Sequence, residues 1–248
     1  MLIYLSMVLL LQPIPTDRIN KKDNAELIWI TPSSFIDIMG KRRNLNGFWI
    51  YKYEVTNEQF ARFCDETNRD YPSDPDDTKW ELNNYMKSFP KYPVVNITWQ
   101  EAKSYASWAG GRLPTEMEWE IASEVDYNNK YIWGNSEENL ENLGNIAGQE
   151  LKDVFPGWTL EKHCDNFKWT SPVGSFRANR NGIYDMTGNA FEWCDDWFYD
   201  KDEKKMTFKK VLKGGSYSSY KEQLSAQSRF AEYPVTRSSN IGFRIVMR

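Results

Sequence analysis

The middle of this 248-residue chain limits the possible folds most, because residues 128–188 follow neither a helical nor a strand period. Asn, Gly and Asp are frequent throughout this segment. Irregular segments of such length are uncommon in compact domains unless they carry a function or are held in place by something. The sequence also shows no alternation of strands and helices, so a doubly wound α/β fold is not expected.

Regular elements are predicted on both sides of the irregular segment. Three threonines upstream each precede a Gln or Glu by three residues, which is the pattern of a capping box at the start of a helix; the pairs are Thr56 with Gln59, Thr98 with Glu101 and Thr115 with Glu118. Aromatic and β-branched runs predict short strands at residues 48–55, 92–97, 211–217 and 242–247. This order of elements predicts a single α+β domain with much irregular loop.

Composition excludes several kinds of site. The chain is 40% hydrophobic, which is enough for a core and excludes a disordered protein. Its formal charge of −4 does not favour a nucleic-acid partner. His163 is the only histidine, so no site can take two or three histidine ligands from this chain. Cys64 lies on the predicted buried face of the first helix, and neither Cys164 nor Cys194 has the CxxC spacing of a zinc site.

The N-terminus begins with an apolar run. Residues 1–11, MLIYLSMVLLL, are too few to span a bilayer as a helix. The run resembles the hydrophobic region of a secretory signal without its basic start, and the alternatives are an apolar first strand or a misassigned start codon. Residues 1–20 are therefore assigned to a signal-like or flexible segment and residues 21–248 to the domain. The compartment stays open between export and the cytoplasm.

Two clusters of oxygen-bearing residues are candidates for ordering the irregular segment. The first joins residues 145–146 to residues 165–167, and the second is the run DMTGNAFE at 185–192. Both place carboxylate and amide oxygens beside Gly or small residues, where backbone carbonyls can also turn inward. Calcium takes about six to eight such oxygens. On this chemistry alone the alternative stays open that these side chains only cap turns or pair with cations.

Five blocks of the sequence occur together in a specific order. They are GFWIYKYEVTNEQF (47–60), YPVVNITWQEAKSYASWAGGRLPTEMEWEIAS (92–123), GIYDMTGNAFEWCDDWF (182–198), LKGGSY (212–217) and NIGFR (240–244). Together they resemble the formylglycine-generating enzyme family, also called sulfatase-modifying factors. The resemblance extends from Gly47 to the C-terminus and implies a single domain that is a variant of the C-type lectin-like fold.

The resemblance also implies the ligands of two calcium ions. For the first ion they are the side chain of Asn145, the carbonyl of Ile146, the side chain of Asp165 and the carbonyl of Phe167. For the second ion they are Asp185, Gly188, Ala190 and Glu192, with Asp185 standing where an Asn is more usual. We therefore expect Ca²⁺ at one or both clusters.

The resemblance implies a catalytic site that this sequence lacks. Enzymes of the family oxidise a substrate cysteine to formylglycine with copper and dioxygen, and a pair of cysteines holds the copper because thiolates select Cu(I). The corresponding segment here reads GGSYSSYKEQL at 214–224, where Ser219 takes the place of the first cysteine and the second has no counterpart. Phe191 also stands where catalytic members usually carry Trp. Copper and formylglycine generation are therefore not expected, and no catalytic residue is assigned.

Three functions remain open. The first is a binding module whose C-terminal groove takes a peptide, a glycan or a protein, with contacts from Ser216, Tyr217, Ser219, Tyr220, Arg229, Tyr233 and Arg237; for the two arginines, pairing with acids is the alternative. The second is an enzyme of altered oxidoreductase chemistry. The third is a variable ligand-binding protein of a diversity-generating retroelement, varied along the same C-terminal stretch. None of the three requires a nucleic acid or a membrane span.

Overall fold

The structure, a computed structural model, describes residues 18–36, 40–75, 84–135, 142–158, 160, 162–200 and 203–248. The apolar run 1–11, and with it the signal-like interpretation, lies outside these residues. No helix within the described ranges is long and apolar enough to cross a bilayer. In chain order the elements are β1 (Arg18–Ile19), β2 (Glu26–Ile30), β3 (Ser33–Ile36), β4 (Arg42–Leu45), β5 (Phe48–Tyr51), α1 (Asn57–Thr67), α2 (Tyr85–Ser88), α3 (Trp99–Trp108), α4 (Glu116–Ala122), β6 (Phe191–Asp200), β7 (Lys205–Lys213), β8 (Phe230–Glu232), β9 (Ile241–Gly242) and β10 (Val246–Met247).

Two four-stranded sheets and a separate hairpin make up the β part of the domain. The first sheet has the order β1-β2-β5-β10 and is antiparallel throughout. The second has the order β8-β7-β6-β9, in which β9 runs parallel to β6. The hairpin pairs β3 with β4. Because β9 and β10 belong to different sheets, residues 243–245 cross from one sheet to the other.

All three predicted capping boxes are present. Thr56, Thr98 and Thr115 each accept a hydrogen bond from the N3 amide, and each N3 side chain accepts one from the threonine N–H. These caps satisfy donors that every helix start leaves without an intrahelical partner. The prediction of three capped helices, α1, α3 and α4, is therefore confirmed.

The main core packs α1 and α3 against the crossing segment between the sheets. The rings of Phe60 and Tyr105 stack at 5.6 Å, and Phe243 meets both rings edge-on. Phe63 and Cys64 are buried on the same face of α1, as the sequence predicts. Each large apolar side chain buried in this way contributes about 1.5–3 kcal/mol relative to exposure.

The predicted strands differ from the observed ones in four places, and the strand predicted at 242–247 is divided between the end of β9 at Gly242 and β10 at Val246–Met247. Residues 92–97 are not a strand, because Pro93 has no N–H for a ladder and Val94 and Asn96 donate to Val55 O (2.8 Å) and Ser238 O (2.9 Å) in different segments. The strand predicted at 48–55 ends at Tyr51 as β5. The strand predicted at 211–217 is the end of a longer β7, which stops at Lys213 before two glycines in left-handed conformation.

The irregular middle of the chain is confirmed. Between residues 128 and 188 the described residues form no α-helix and no β-strand beyond isolated bridges, and the 3₁₀ turn Gln149–Leu151 is a short regular element there. Several of its residues are nevertheless fully buried, including Asn145, Ala147 and Ser171. The predicted single α+β domain is likewise confirmed.

Candidate functional site

The segment 214–219 forms a closed turn at the end of β7. Gly214 and Gly215 adopt φ of 92° and 78°, and a Cβ on Gly215 would lie 2.1 Å from Leu224 Cδ2. Ser216 N donates to Ser219 Oγ at 3.0 Å, and Ser219 N donates back to Ser216 O at 2.9 Å. The Ser219 hydroxyl is thus an internal acceptor of the turn, and its side chain is almost fully buried.

Both predicted calcium clusters hold this turn by backbone hydrogen bonds. Gly188 N donates to Gly214 O at 2.8 Å, and Tyr217 N donates to Asn189 O at 3.0 Å. From the first cluster's side, Ala147 N donates to Ser219 O at 3.0 Å. Any agent that orders the two clusters therefore also orders the turn.

Hydroxyl and amide groups of the turn and of residues 239–240 form a hydrogen-bonded group, in which Ser216 is fully buried and Ser218 and Asn240 are partly exposed. The Oγ atoms of Ser216 and Ser218 lie 3.0 Å apart, and Asn240 Nδ2 donates to them at 3.4 and 3.2 Å. The Tyr217 hydroxyl lies 3.0 Å from Ser239 Oγ, while its buried ring meets Trp169 edge-on at 5.7 Å. The partly exposed groups of Ser218, Ser239 and Asn240 can exchange hydrogen bonds with a polar ligand such as a peptide backbone or a sugar, whereas the predicted contacts Ser216 and Tyr217 are buried.

The remaining predicted ligand contacts lie in different surroundings. Tyr220 is partly exposed and its ring lies 5.5 Å from that of Trp158. Tyr233 is 52% exposed, with Lys209 Nζ 5.1 Å from its ring.

Both arginines pair with acids, which is the alternative left open by the sequence. Arg229 donates to both carboxylate oxygens of Glu116, at 2.6 and 2.7 Å. Arg237 donates to Glu101 at 2.7 Å and to Asn96 O at 2.9 Å. Arg229 is thereby part of the scaffold between α4 and the second sheet, and Arg237 braces the capping box of α3.

The second predicted calcium cluster is built on left-handed backbone. Asp185 and Gly188 have φ of 57° and 77°, and a Cβ on Gly188 would lie 2.0 Å from Asn145 O, so only glycine fits there. Ala190 N donates to Glu54 Oε1 at 3.0 Å. Glu192 accepts from Arg244 at 2.7 Å on each oxygen and from Trp119 Nε1 at 2.7 Å.

Acidic charge exceeds basic charge in this buried region. Arg244 pairs there with Glu192, and its positive charge also lowers the pKa values of Glu54 and Asp185, so three acids share this cation. Burial, then the charges of Asp185 and Glu192, hold the pKa of Glu54 well above its usual range. Burial raises the pKa of Asp185 to about 6 although Gly174 N donates to it at 2.7 Å. The Oδ1 atom of Asp185 is buried without a hydrogen-bond partner, so the residues fit an additional cation.

The first predicted calcium cluster also contains a buried oxygen without a hydrogen-bond partner. Asn145 Nδ2 donates to Trp169 O at 2.7 Å, but Asn145 Oδ1 is buried without a partner. Asp165 accepts from Ile146 N at 3.1 Å and from Phe167 N at 2.9 Å. Burial nevertheless raises the pKa of Asp165 to about 7. An oxygen-seeking cation would satisfy both features.

A site for a thiolate-bound or histidine-bound metal is not found in the part of the chain that the structure describes. No group of three or more His, Cys, Asp or Glu side chains there is arranged to hold a metal ion. Cys64 and Cys194 are buried, and burial raises the pKa of Cys64 to about 11. Cys164 is exposed in the irregular segment.

Sequence reasoning missed Glu54 and Arg244 as parts of this region, although both lie inside quoted blocks. Glu54 ends the run FWIYKYE, which is aromatic or β-branched apart from Lys52 and Glu54, and Arg244 ends NIGFR. Charged residues in such runs are seldom fully buried unless they are paired or hydrogen-bonded, which is the signal that could have found both. Asn189 links the two clusters, because its Oδ1 accepts from Asn145 Nδ2 at 3.2 Å and its Nδ2 donates to Glu54 at 2.5 Å.

Comparison with known proteins gives consistent matches. Residues 20–248 match the family described as sulfatase-modifying factor enzyme 1-like domain. The chain is 33% identical over 229 residues to serine/threonine-protein kinase pkn1 of Chlamydia caviae, covering 81% of this chain and 33% of the kinase. It is 35% identical over 169 residues to the formylglycine-generating enzyme of Streptomyces coelicolor, covering 62% and 52%. The solved structure of PvdO from Pseudomonas aeruginosa has the same fold, with a TM-score of 0.72, 20% identity and coverage of 94% and 98%. The chain thus spans about a third of that kinase and about half of that enzyme.

Proposed function

Because this chain belongs to the sulfatase-modifying factor family, we propose that it is a non-catalytic member, a calcium-braced module that binds a ligand at the serine turn 214–219. The activities of the longer relatives do not transfer by membership alone, since a fold hosts different functions and chemistry depends on the site.

One observation carries the non-catalytic part of the proposal. Ser219, which stands where the family's first copper-binding cysteine is expected, has its hydroxyl oxygen occupied by Ser216 N at 3.0 Å. A neutral hydroxyl is a poor ligand for Cu(I). Cys64 and Cys194 are packed in the core, so neither can replace the missing thiolates without unfolding its surroundings.

The calcium part of the proposal rests on the unused oxygens. One ion would be held by the side chains of Asn145 and Asp165 and by the carbonyls of Ile146 and Phe167. The other ion would be held by the side chains of Asp185 and Glu192 and by the carbonyls of Gly188 and Ala190. Bound calcium would supply the positive charge that these buried carboxylates lack. The residues themselves tie both clusters to the serine turn, through Gly188 and Ala147.

The ligand-binding part rests on the hydroxyl groups of the turn. Ser218, Asn240 and the partly exposed Tyr220 offer donors and acceptors on a backbone fixed at both ends. Such a fixed set of polar groups loses little conformational entropy when a ligand binds. A peptide or a glycan, each rich in hydrogen-bonding groups, is the expected class of ligand.

Catalysis is tested with the full chain loaded with Cu(I) and supplied with dioxygen and a cysteine-containing sulfatase-type peptide. We expect no aldehyde by mass spectrometry, because no thiolate pair is available. Ser219→Cys should not restore activity, since one thiolate cannot provide a two-thiolate site. Aldehyde formed by the unaltered chain would show that the non-catalytic assignment is wrong.

Binding is tested by selection from a displayed peptide library and on a glycan array. Ligands recovered with the unaltered chain should bind about tenfold more weakly to Ser218→Ala or Tyr220→Ala, a loss of about 1.4 kcal/mol. Tyr71→Ala removes another exposed tyrosine, outside the turn, and serves as the control. Recovery of no ligand from either library, or equal losses in the control, would contradict a binding site at the turn.

A further inference from the structure

Glu150 lies beside the first calcium cluster with one carboxylate oxygen unused. Its Oε1 accepts from Gly148 N at 2.9 Å, which is an ordinary cap for the 3₁₀ turn Gln149–Leu151. Its Oε2 is buried and has no hydrogen-bond partner. A cap accounts for the first oxygen only, and a buried carboxylate oxygen without a partner is costly.

The unused oxygen belongs to the same pair of segments as the first cluster. Ile146 N donates to Asp165 Oδ2 at 3.1 Å, and Gln149 N donates to His163 O at 2.9 Å, so residues 146–149 run beside residues 163–165. Asn145, which is fully buried, has its own Oδ1 without a partner at the start of this ladder. Asn145 and Glu150, each with an unpartnered oxygen, thus lie on the segment 145–150, in which Ile146 N donates to the Asp165 carboxylate.

The charges at this place are unbalanced. Neither Glu150 nor Asp165 forms a salt bridge with any residue that the structure describes. A bound cation would offset the charge of the buried Asp165 carboxylate and would satisfy the buried Oε2 atom of Glu150.

The backbone leaves room for the Glu150 carboxylate. A Cβ on Gly148 would lie 2.7 Å from both of its oxygens, so any other residue would push the carboxylate away. His163 has both ring nitrogens buried without a partner. A metal site that takes one side chain from each of His163, Glu150 and Asp165 is not found among the described residues. The oxygens of carboxylates, an amide and carbonyls instead suit a hard cation.

We propose that Glu150 is an additional carboxylate ligand of the first calcium cluster, alongside Asn145, Ile146, Asp165 and Phe167. This inference rests on the proposed calcium function. It gives the first cluster two carboxylates, and calcium affinity in proteins rises with the number of charged ligands.

The test is calorimetric titration of the chelator-stripped full chain with calcium at pH 7.5. Glu150→Gln should weaken one binding step by about 10- to 100-fold and leave the other unchanged, the range found when a group supporting a metal is lost. Asp165→Asn should weaken the same step. Glu222→Gln alters an exposed acid in the segment that follows the serine turn and should change neither step.

A thermal melt gives a second readout. Without calcium, Glu150→Gln should melt above the unaltered chain, because it removes the repulsion from Asp165. With saturating calcium the order should reverse, because the variant binds the ion less tightly.

The outcomes separate this inference from the proposed function. One outcome is that the unaltered chain binds calcium, that Asp165→Asn loses one binding step, and that Glu150→Gln binds calcium normally. In that case Glu150 is only a cap, so the inference is wrong while the proposed calcium bracing stands. If Glu150→Gln melts higher both with and without calcium, the two carboxylates share a proton and not an ion. If the unaltered chain takes up no calcium, both the inference and the bracing are wrong.

Discussion

Removal of Arg244 should destabilise the protein more than removal of its partner Glu192. Arg244 is fully buried, donates twice to Glu192 at 2.7 Å and also donates to Tyr184 O at 2.9 Å. Arg244→Met leaves the carboxylates of Glu54, Asp185 and Glu192 without a described cation. Breaking a buried pair by removing one partner costs about 3–5 kcal/mol. That is a large share of a total stability of about 5–15 kcal/mol.

Glu192→Gln leaves a less unfavourable state. Arg244 then still faces Glu54 and Asp185, and the new amide can keep the hydrogen bond from Trp119 Nε1. The loss should be that of a charged hydrogen bond, about 1.5–3 kcal/mol. Arg244→Lys keeps the charge but loses the two-point contact, so it should fall between the two variants.

The assay is urea unfolding at pH 7.5 followed by tryptophan fluorescence, with calcium removed by a chelator. Added calcium should restore more stability to Arg244→Met than to Glu192→Gln, because it replaces the missing positive charge. The reasoning about charge imbalance is refuted if Glu192→Gln costs as much as Arg244→Met in the absence of calcium. It is also refuted if calcium helps the two variants equally.

Two further predictions follow from single residues. Gly188→Ala should lower the free energy of unfolding by several kcal/mol, because Gly188 has φ of 77° and an added Cβ would lie 2.0 Å from Asn145 O; Gly157→Ala, which meets nothing within 4 Å, is the control in the same urea assay. Burial raises the pKa of Glu118, but the Arg112 guanidinium and the amide of Thr115 outweigh burial and hold this pKa below its usual 4.5. The ionised acid therefore stabilises the fold above that value, and its contribution is lost as the pH falls through the folded pKa. Glu118→Gln should therefore flatten the stability curve between about pH 5 and pH 3; a curve as steep as that of the unaltered chain would contradict the role of Arg112.

The helices were predictable because their signals are local. A capping box needs only two side chains three residues apart, and the positions of Thr56, Thr98 and Thr115 decide where α1, α3 and α4 begin. The apolar spacing of Phe60, Phe63 and Cys64 likewise needs no tertiary information.

The strands were predicted less well because their partners are distant in sequence. β6 falls in a segment read for its oxygen ligands, and only pairing with β7 and β9 makes it the centre of a sheet. Residues 92–97 have strand composition but donate their amides to Val55 and Ser238 instead of to a neighbouring strand. At the candidate site, the residue types alone predicted the two oxygen clusters. The pairing of Arg229 with Glu116 and the burial of Ser219 depend on tertiary packing, which cannot be read from the spacing of residues in the sequence.

Three of the five sequence blocks that carry the family resemblance meet at a single buried carboxylate, that of Glu192. Trp119 of RLPTEMEWE donates to Glu192 of GNAFEW at 2.7 Å, and Arg244 of NIGFR donates to both oxygens of the same carboxylate. These residues are buried in the core and form a structural ion pair, so selection for a stable fold is enough to keep them. Matching these blocks therefore indicates how the chain folds and does not distinguish a catalytic member from a non-catalytic one. That distinction lies in the turn at 214–219 and the residues after it, where Ser219 uses its hydroxyl to close the backbone.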